Sequence, residues 1–122
     1  MVRIKRAYDE PARSDGQRVL VDRLWPRGVK KDALRLDRWA KELAPSPALR
    51  TWFGHDPARF REFAGRYHAE LRHEPARSLL AEVTRRAAHG TVTLVYGARD
   101  EEHNGAVVLR EAIEDALRSH AP

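Results

Sequence analysis

The sequence contains no cysteine among its 122 residues. This absence excludes a disulfide framework, a zinc site built on Cys ligands and a thiol nucleophile. The sequence also has no apolar run close to the roughly 18 residues that a transmembrane helix needs. Its first residues, Met1 to Arg6, lack the apolar core of a signal peptide. We therefore expect a cytoplasmic protein that has no membrane partner.

The signatures of several common classes of enzyme and binding protein are absent as well. Neither a Gly-x-Gly-x-x-Gly motif nor a Walker-type loop occurs, which excludes nucleotide binding by those two devices. No Gly-x-Ser-x-Gly elbow is present to support a Ser-His-Asp triad. The His residues form no His-x-His or His-x-x-x-His pair, so the sequence predicts no metal site and leaves any cofactor unknown.

Basic residues are in excess. The 23 Lys and Arg residues against 18 Asp and Glu residues give a formal net charge of +5, which suits an anionic small molecule, a nucleotide or a nucleic acid as a partner. The basic residues are also spread along the chain beside acidic ones, as at Asp37–Arg38, which is typical of an ordinary solvated surface. The apolar content of 42% is enough for the core of one domain over residues 1–122. Nothing in the sequence indicates the oligomeric state.

Three segments have the pattern of strands in one sheet. Residues 3–8 alternate between apolar and basic side chains, while residues 18–24 and 91–96 contain apolar runs. The polar loop from Asp9 to Gly16 is too short for a helical crossover between parallel strands. The first two strands therefore form an antiparallel hairpin, which the local sequence favours, or are parallel strands joined by an irregular crossover.

Apolar spacing predicts a short helix after the second strand. Leu36, Trp39, Ala40 and Leu43 are spaced i, i+3, i+4 and i+7, which places them on one helical face. This helix ends before Pro45, because proline interrupts the helical hydrogen bonds.

Further helices begin at capping residues. Ser46 and Asp56 are each followed by Pro, as at the N-cap and first residue of a helix. Another helix begins at Pro75 and ends at Gly90, and the last covers roughly residues 104–119. The order of strands and helices predicts a small single α/β domain, with a mainly parallel central sheet and helices packed on it.

Polar residues directly follow the second strand. Asp22 at this position is suited to act as a general base, bind a metal or orient the neighbouring Arg23. The alternative is a structural Asp-Arg pair that closes the strand. Trp25 and Arg27 come next and offer an apolar floor and a planar bidentate donor for a base, a phosphate or a carboxylate.

A second polar segment, Arg99–Asn104, lies between the third strand and the last helix. The N–H groups at the start of a helix favour an anion. His103 is able to transfer a proton near neutral pH. The alternative for Asp100 or Asn104 is a helix-capping role. For the pair His55 and Asp56, the alternative is that Asp56 caps a helix and His55 is an ordinary loop residue.

Four long motifs span nearly the whole chain: VLVDRLWPRG at 19–28, LDRWAKELAPS at 36–46, WFGHDP at 52–57 and TLVYGARD at 93–100. These motifs resemble the YeaO-like branch of the domain-of-unknown-function 488 family. The resemblance implies a compact α/β domain with a parallel sheet, and it brings no established activity. The polar positions that match the family's motifs are Asp22, Arg23, Arg27, His55, Asp56, Arg99, Asp100, His103 and Asn104.

We expect these polar residues to form one pocket, because parallel strands bring their carboxyl ends to the same edge of a sheet. In one hypothesis the protein is an enzyme acting on a nucleotide or another anionic small molecule; in the other it is a non-catalytic module that binds phosphate or nucleic acid. A third hypothesis makes the charged strand ends purely structural. The predicted catalytic residues are Asp22, His103 and Asp100. The predicted ligand-binding residues are Arg23, Trp25, Arg27, Arg99, Asn104 and His55.

Overall fold

A sheet of four parallel strands forms the centre of the protein, in the order β1-β4-β2-β3. The computed structural model describes residues 1–119, so residues 120–122 of the predicted domain lie outside it. The prediction of an α/β fold with a mainly parallel sheet is confirmed, and the three predicted strands share this sheet. The strands are β1 (Val2–Arg6), β2 (Gln17–Leu20), β3 (Arg38–Trp39) and β4 (Val92–Tyr96).

Five helices accompany the sheet within the described residues, 1–119, and the caps that the sequence predicted at Ser46 and Asp56 are formed. The helices are α1 (Lys31–Leu34), α2 (Pro47–Phe53), α3 (Phe60–Glu70), α4 (Ala76–His89) and α5 (Gly105–Ser119). Ser46 Oγ accepts a hydrogen bond from Leu49 N at 3.1 Å at the start of α2. Asp56 Oδ1 accepts one from Ala58 N at 3.0 Å ahead of α3. A membrane-spanning helix is not found among residues 1–119.

The two faces of the sheet are covered differently, because successive side chains of a strand point to opposite faces. Val19 and Leu94 lie in the larger apolar cluster, together with residues of α2, α3, α4 and α5. Leu20 and Val95 lie in a smaller cluster with Leu34 of α1. One face is therefore packed by four helices, while the other is covered mainly by the segment that carries α1.

The helix predicted over residues 36–43 is wrong. Asp37 N donates to Arg18 O at 2.9 Å, and Ala40 N donates to Leu20 O at 2.8 Å. These bonds add β3 to the edge of the sheet beside β2. Only a short 3-10 turn follows β3, at Lys41–Leu43.

The apolar spacing that predicted this helix has another origin. Leu36 and Trp39 pack against the smaller cluster on one face of the sheet. Ala40 and Leu43 belong to the larger cluster on the other face. A short segment that crosses the sheet edge therefore places its apolar residues at helical intervals without forming a helix.

The antiparallel hairpin that the local sequence favoured between β1 and β2 is also wrong. Both strands are parallel to β4, which lies between them. The irregular crossover contains a 3-10 turn at Arg13–Asp15 and ends at Gly16, which has φ +63°. A Cβ atom at Gly16 would lie 2.2 Å from the carbonyl oxygen of Thr91. Glycine at this position therefore allows β2 to begin beside β4.

An ion-pair network secures this crossover against the sheet. Asp15 and Arg18 are 4% and 3% exposed. The Asp15 carboxylate accepts hydrogen bonds from Arg18 Nη1 at 2.7 Å, Lys5 Nζ at 3.1 Å and Ala12 N at 2.9 Å. Burial opposes the ionised form of Asp15, but these hydrogen bonds outweigh it, so the pKa lies below its ordinary value. The ionised carboxylate therefore stabilises the fold.

We expect Asp15→Ala to lower the free energy of unfolding by about 3–5 kcal/mol at pH 7, because it leaves buried Arg18 without its partner. Urea unfolding measures this loss. Because the folded-state pKa is lowered, the contribution of Asp15 is present above the ordinary pKa and is lost as the pH falls below about 4. The control is Asp115→Ala, which breaks an exposed pair with Arg118 and should cost less than about 1 kcal/mol. Equal losses in the two variants would contradict a role for the buried network.

Candidate functional site

A cleft of about 330 Å³ opens beyond the carboxyl ends of β2 and β4. This is the position where open parallel sheets bind ligands. Its apolar lining includes Trp25, Phe53 and Phe63. The polar and charged lining residues are Tyr8, Asp22, Arg23, Arg27, Arg50, His55 and Asn104.

Asp22 connects the ends of the two central strands. The ladder between β2 and β4 continues one step beyond the strand, since Val21 N donates to Val95 O at 3.1 Å. Asp22 Oδ2 then accepts a hydrogen bond from Gly97 N at 2.8 Å. A Cβ atom at Gly97 would lie 3.3 Å from this oxygen, so a small residue suits the position. The carboxylate is therefore held at the floor of the cleft by the backbone that follows β4.

The surroundings of Asp22 disfavour its charge. Burial raises its pKa above the ordinary value, and the hydrogen bond from Gly97 N and the nearby side chains of His55 and Arg50 oppose this effect without cancelling it. The carboxyl group thus accepts a proton more readily than an exposed Asp does.

Arg23 has donors that the protein does not use. Its Nε atom is buried and has no hydrogen-bond partner among residues 1–119. Its Nη2 atom lies 3.4 Å from Pro45 O, beyond the usual range for an N–H···O bond. An unpaired guanidinium N–H in a cleft is costly for the protein alone, and an anion would satisfy it.

The wall of the cleft is a loop fixed by aromatic residues. Trp25 Nε1 donates to Val29 O at 2.6 Å, and the Trp25 ring meets Trp39 edge-on with centroids 5.3 Å apart. The Tyr8 hydroxyl donates to Arg27 O at 2.9 Å. These contacts hold the backbone of the loop and leave the Arg27 side chain exposed at the rim of the cleft.

His55 and Arg50 complete the opposite wall. His55 follows Gly54, and both have positive φ angles, of 57° and 54°. A left-handed conformation is uncommon for a residue other than glycine, although His adopts it more often than most. Arg50 was not predicted as a site residue. It lies on α2, and only the packing of α2 against the sheet brings it to Asp22, so no local sequence signal marks it.

Asp100 and His103 are not among the residues that line the cleft. Asp100 Oδ1 accepts hydrogen bonds from Glu102 N at 2.9 Å and His103 N at 3.0 Å. Its Oδ2 atom pairs with His103 Nδ1 at 2.8 Å. The hydrogen bonds from Glu102 N and the His103 ring lower the pKa of Asp100. The pair organises its own loop, and the His103 and Phe60 rings meet edge to face with centroids 5.2 Å apart.

Asn104 combines a capping role with a place in the cleft. Its Oδ1 atom accepts a hydrogen bond from Val107 N at 3.0 Å, and its Nδ2 atom donates to Asp100 O at 2.9 Å. Asn104 therefore caps α5 and is buried. Arg99 is exposed and is not among the lining residues. Within residues 1–119, no group of three or more Asp, Glu or His side chains is placed to hold a metal ion.

The chain is a small parallel α/β protein with a cleft at the strand ends, and the lining of this cleft includes three Arg residues and one Asp. The chain belongs to the DUF488 family, and the matching family model, which covers residues 1–121, is described as the inactive DUF488-N3 subclade.

Two relatives of the chain carry names that assign no function. It is 44% identical over 112 residues to the uncharacterized protein Rv3073c of Mycobacterium tuberculosis, covering 92% of each chain. It is 42% identical over 111 residues to the uncharacterized protein YeaO of Escherichia coli, covering 90% of this chain and 94% of YeaO. No solved structure significantly matches the chain.

We expect Asp22→Asn to be at least as stable as the wild type at pH 7, because it keeps an acceptor for Gly97 N and removes a buried charge. Since the folded-state pKa of Asp22 is raised, the wild type loses stability as the pH rises above about 4. The difference between variant and wild type should therefore shrink as the pH falls towards 4. Urea unfolding at several pH values measures it.

Asp22→Ala is the matched comparison. It removes the acceptor of Gly97 N and should cost about 1–3 kcal/mol. A loss for Asp22→Asn at pH 7 as large as that for Asp22→Ala would mean that the ionised carboxylate stabilises the fold.

Proposed function

We propose that this protein is a non-catalytic module whose cleft binds the phosphate group of a nucleotide or a similar anionic small molecule. The observation that carries the proposal is Arg23, whose buried Nε atom has no partner among residues 1–119. Arg27 and Arg50 line the same cleft. Three guanidinium groups around one carboxylate leave the cleft positively charged, and guanidinium groups suit phosphate geometry.

The apolar lining supports a ligand with a ring. A cleft of about 330 Å³ lies within the usual range for small-molecule sites, which combine apolar walls with a few polar groups. Trp25 and Phe53 provide such walls. A nucleotide carries both a planar base and a phosphate, so it matches this combination of groups.

Two observations favour binding over catalysis. An enzyme built on Asp22 as base and His103 as proton carrier needs both groups at the ligand. Asp22 Oδ2 is engaged by Gly97 N, and His103 is paired with Asp100 outside the lining of the cleft. The description of the matching family branch as inactive agrees with a binding role.

Isothermal titration calorimetry with adenosine 5′-monophosphate and with inorganic phosphate tests the proposal. We expect Arg23→Ala to weaken binding by about tenfold or more, since it removes hydrogen bonds to a charged group. Arg23→Lys keeps the positive charge but loses the planar bidentate donor. Its affinity should therefore lie between those of Arg23→Ala and the wild type.

The control is Arg118→Ala, which removes one exposed positive charge at the end of α5 and should leave the affinity unchanged. Chromatography of the incubated nucleotide should recover it intact. The proposal would be overturned if neither adenosine 5′-monophosphate nor inorganic phosphate bound. It would also be overturned if the wild type converted the nucleotide and Asp22→Asn did not.

A further inference from the structure

A second cavity adjoins the cleft on the face of the sheet that α3, α4 and α5 do not cover. This groove has a volume of about 860 Å³. It is lined by the loop that follows β1, by Arg18 of β2 and by the segment around α1. Tyr8 lines both cavities, so the groove and the cleft meet at its side chain.

Arg18 presents an unused donor at the groove. It is 3% exposed; its Nη1 atom donates to Asp15 at 2.7 Å and its Nε atom to Leu34 O at 3.0 Å. Its buried Nη2 atom has no partner. Among residues 1–119, Arg18 Nη2 and Arg23 Nε are the two buried side-chain nitrogen or oxygen atoms that have no hydrogen-bond partner. One belongs to the lining of the groove and the other to the lining of the cleft.

The rim of the groove adds further positive charge. Arg13, Lys30 and Arg35 line it and are exposed, against the two acidic residues Asp9 and Glu10. The carboxylate of Asp15 is shared between Lys5 and Arg18, so this cluster of three residues keeps one net positive charge. The groove, like the cleft, therefore has the charge of an anion site.

Tyr8 provides a stacking surface between the two cavities. It is 47% exposed. The Arg6 guanidinium lies 4.9 Å from the ring centroid, and the hydroxyl is anchored on Arg27 O. A fixed and exposed aromatic ring beside cationic groups is the arrangement on which proteins stack unpaired bases.

From these observations we infer that the ligand is a segment of single-stranded nucleic acid. Its backbone phosphates lie at Arg23 in the cleft and on the Arg18 side in the groove, and a base stacks on Tyr8. Arg18 and Arg23 are five residues apart, so their Cα atoms are separated by at most about 18 Å, a span suited to a short strand. A duplex hides its base faces and offers nothing for Tyr8 to stack on. The placement of a phosphate at Arg23 in the cleft rests on the proposed function. The placement of a phosphate in the groove does not depend on it.

Fluorescence anisotropy with labelled single-stranded decanucleotides of DNA and RNA tests the inference, with a DNA duplex of the same length and adenosine 5′-monophosphate as competitors. We expect a single strand to bind at least tenfold more tightly than the mononucleotide and the duplex. Tyr8→Ala should weaken strand binding by about tenfold through loss of stacking.

A second variant tests the groove without disturbing a buried group. Lys30→Ala removes an exposed cation from the rim. It should reduce the slope of log affinity against log salt concentration by about 0.7, the value of one phosphate contact on a single strand. Arg77→Ala removes an exposed charge from α4 that lines neither cavity, and it should leave affinity and slope unchanged.

The outcomes separate this inference from the proposed function. If the mononucleotide binds and the strands bind no more tightly, the inference fails and the proposed function stands. Strand binding that neither Tyr8→Ala nor Lys30→Ala alters would place the strand elsewhere and overturn the inference. If neither the mononucleotide nor the strands bind, both ideas fail.

Discussion

Strand β4 has a parallel partner on each side, and this arrangement determines where the cleft lies. All five of its residues are buried, and its register with β1 and β2 brings the ends of three strands to one edge. The bond from Gly97 N to Asp22 is a direct result, because the residues that follow β4 and β2 emerge side by side. The cleft therefore depends on the pairing of β4 more than on any single polar residue.

The unequal covering of the sheet explains why the groove forms on the side of α1. Four helices fill one face with apolar contacts. The other face receives a single short helix and a long loop, and it carries the buried pair of Asp15 and Arg18 among fewer apolar residues. The Arg18 guanidinium of this pair lines the groove although the residue is buried. The loop that follows Asp22 covers part of the face and shapes the boundary between groove and cleft.

Features that depend on neighbouring residues in the chain could be predicted from the sequence, and features that depend on distant pairing could not. Ser46, Asp56 and their prolines mark helix starts, because capping is a local interaction. Asp22 could be placed at a strand end because the apolar run directly before it is also a local signal. The two-residue strand β3 was missed, since its extended form results from hydrogen bonds to β2. Arg50 and the partners of Asp15 were missed because only the folded chain brings them together.

The two outer strands of the sheet differ from the inner ones in a way that affects association between molecules. Open edges of sheets invite pairing with other chains, and short edge strands or charged edge residues discourage it. On one side the sheet ends in β3, which has two residues. On the other it ends in β1, where Arg3, Lys5 and Arg6 accompany two apolar residues. Neither edge offers a long uncharged template, so the same sequence that builds a parallel sheet also limits its growth into aggregates.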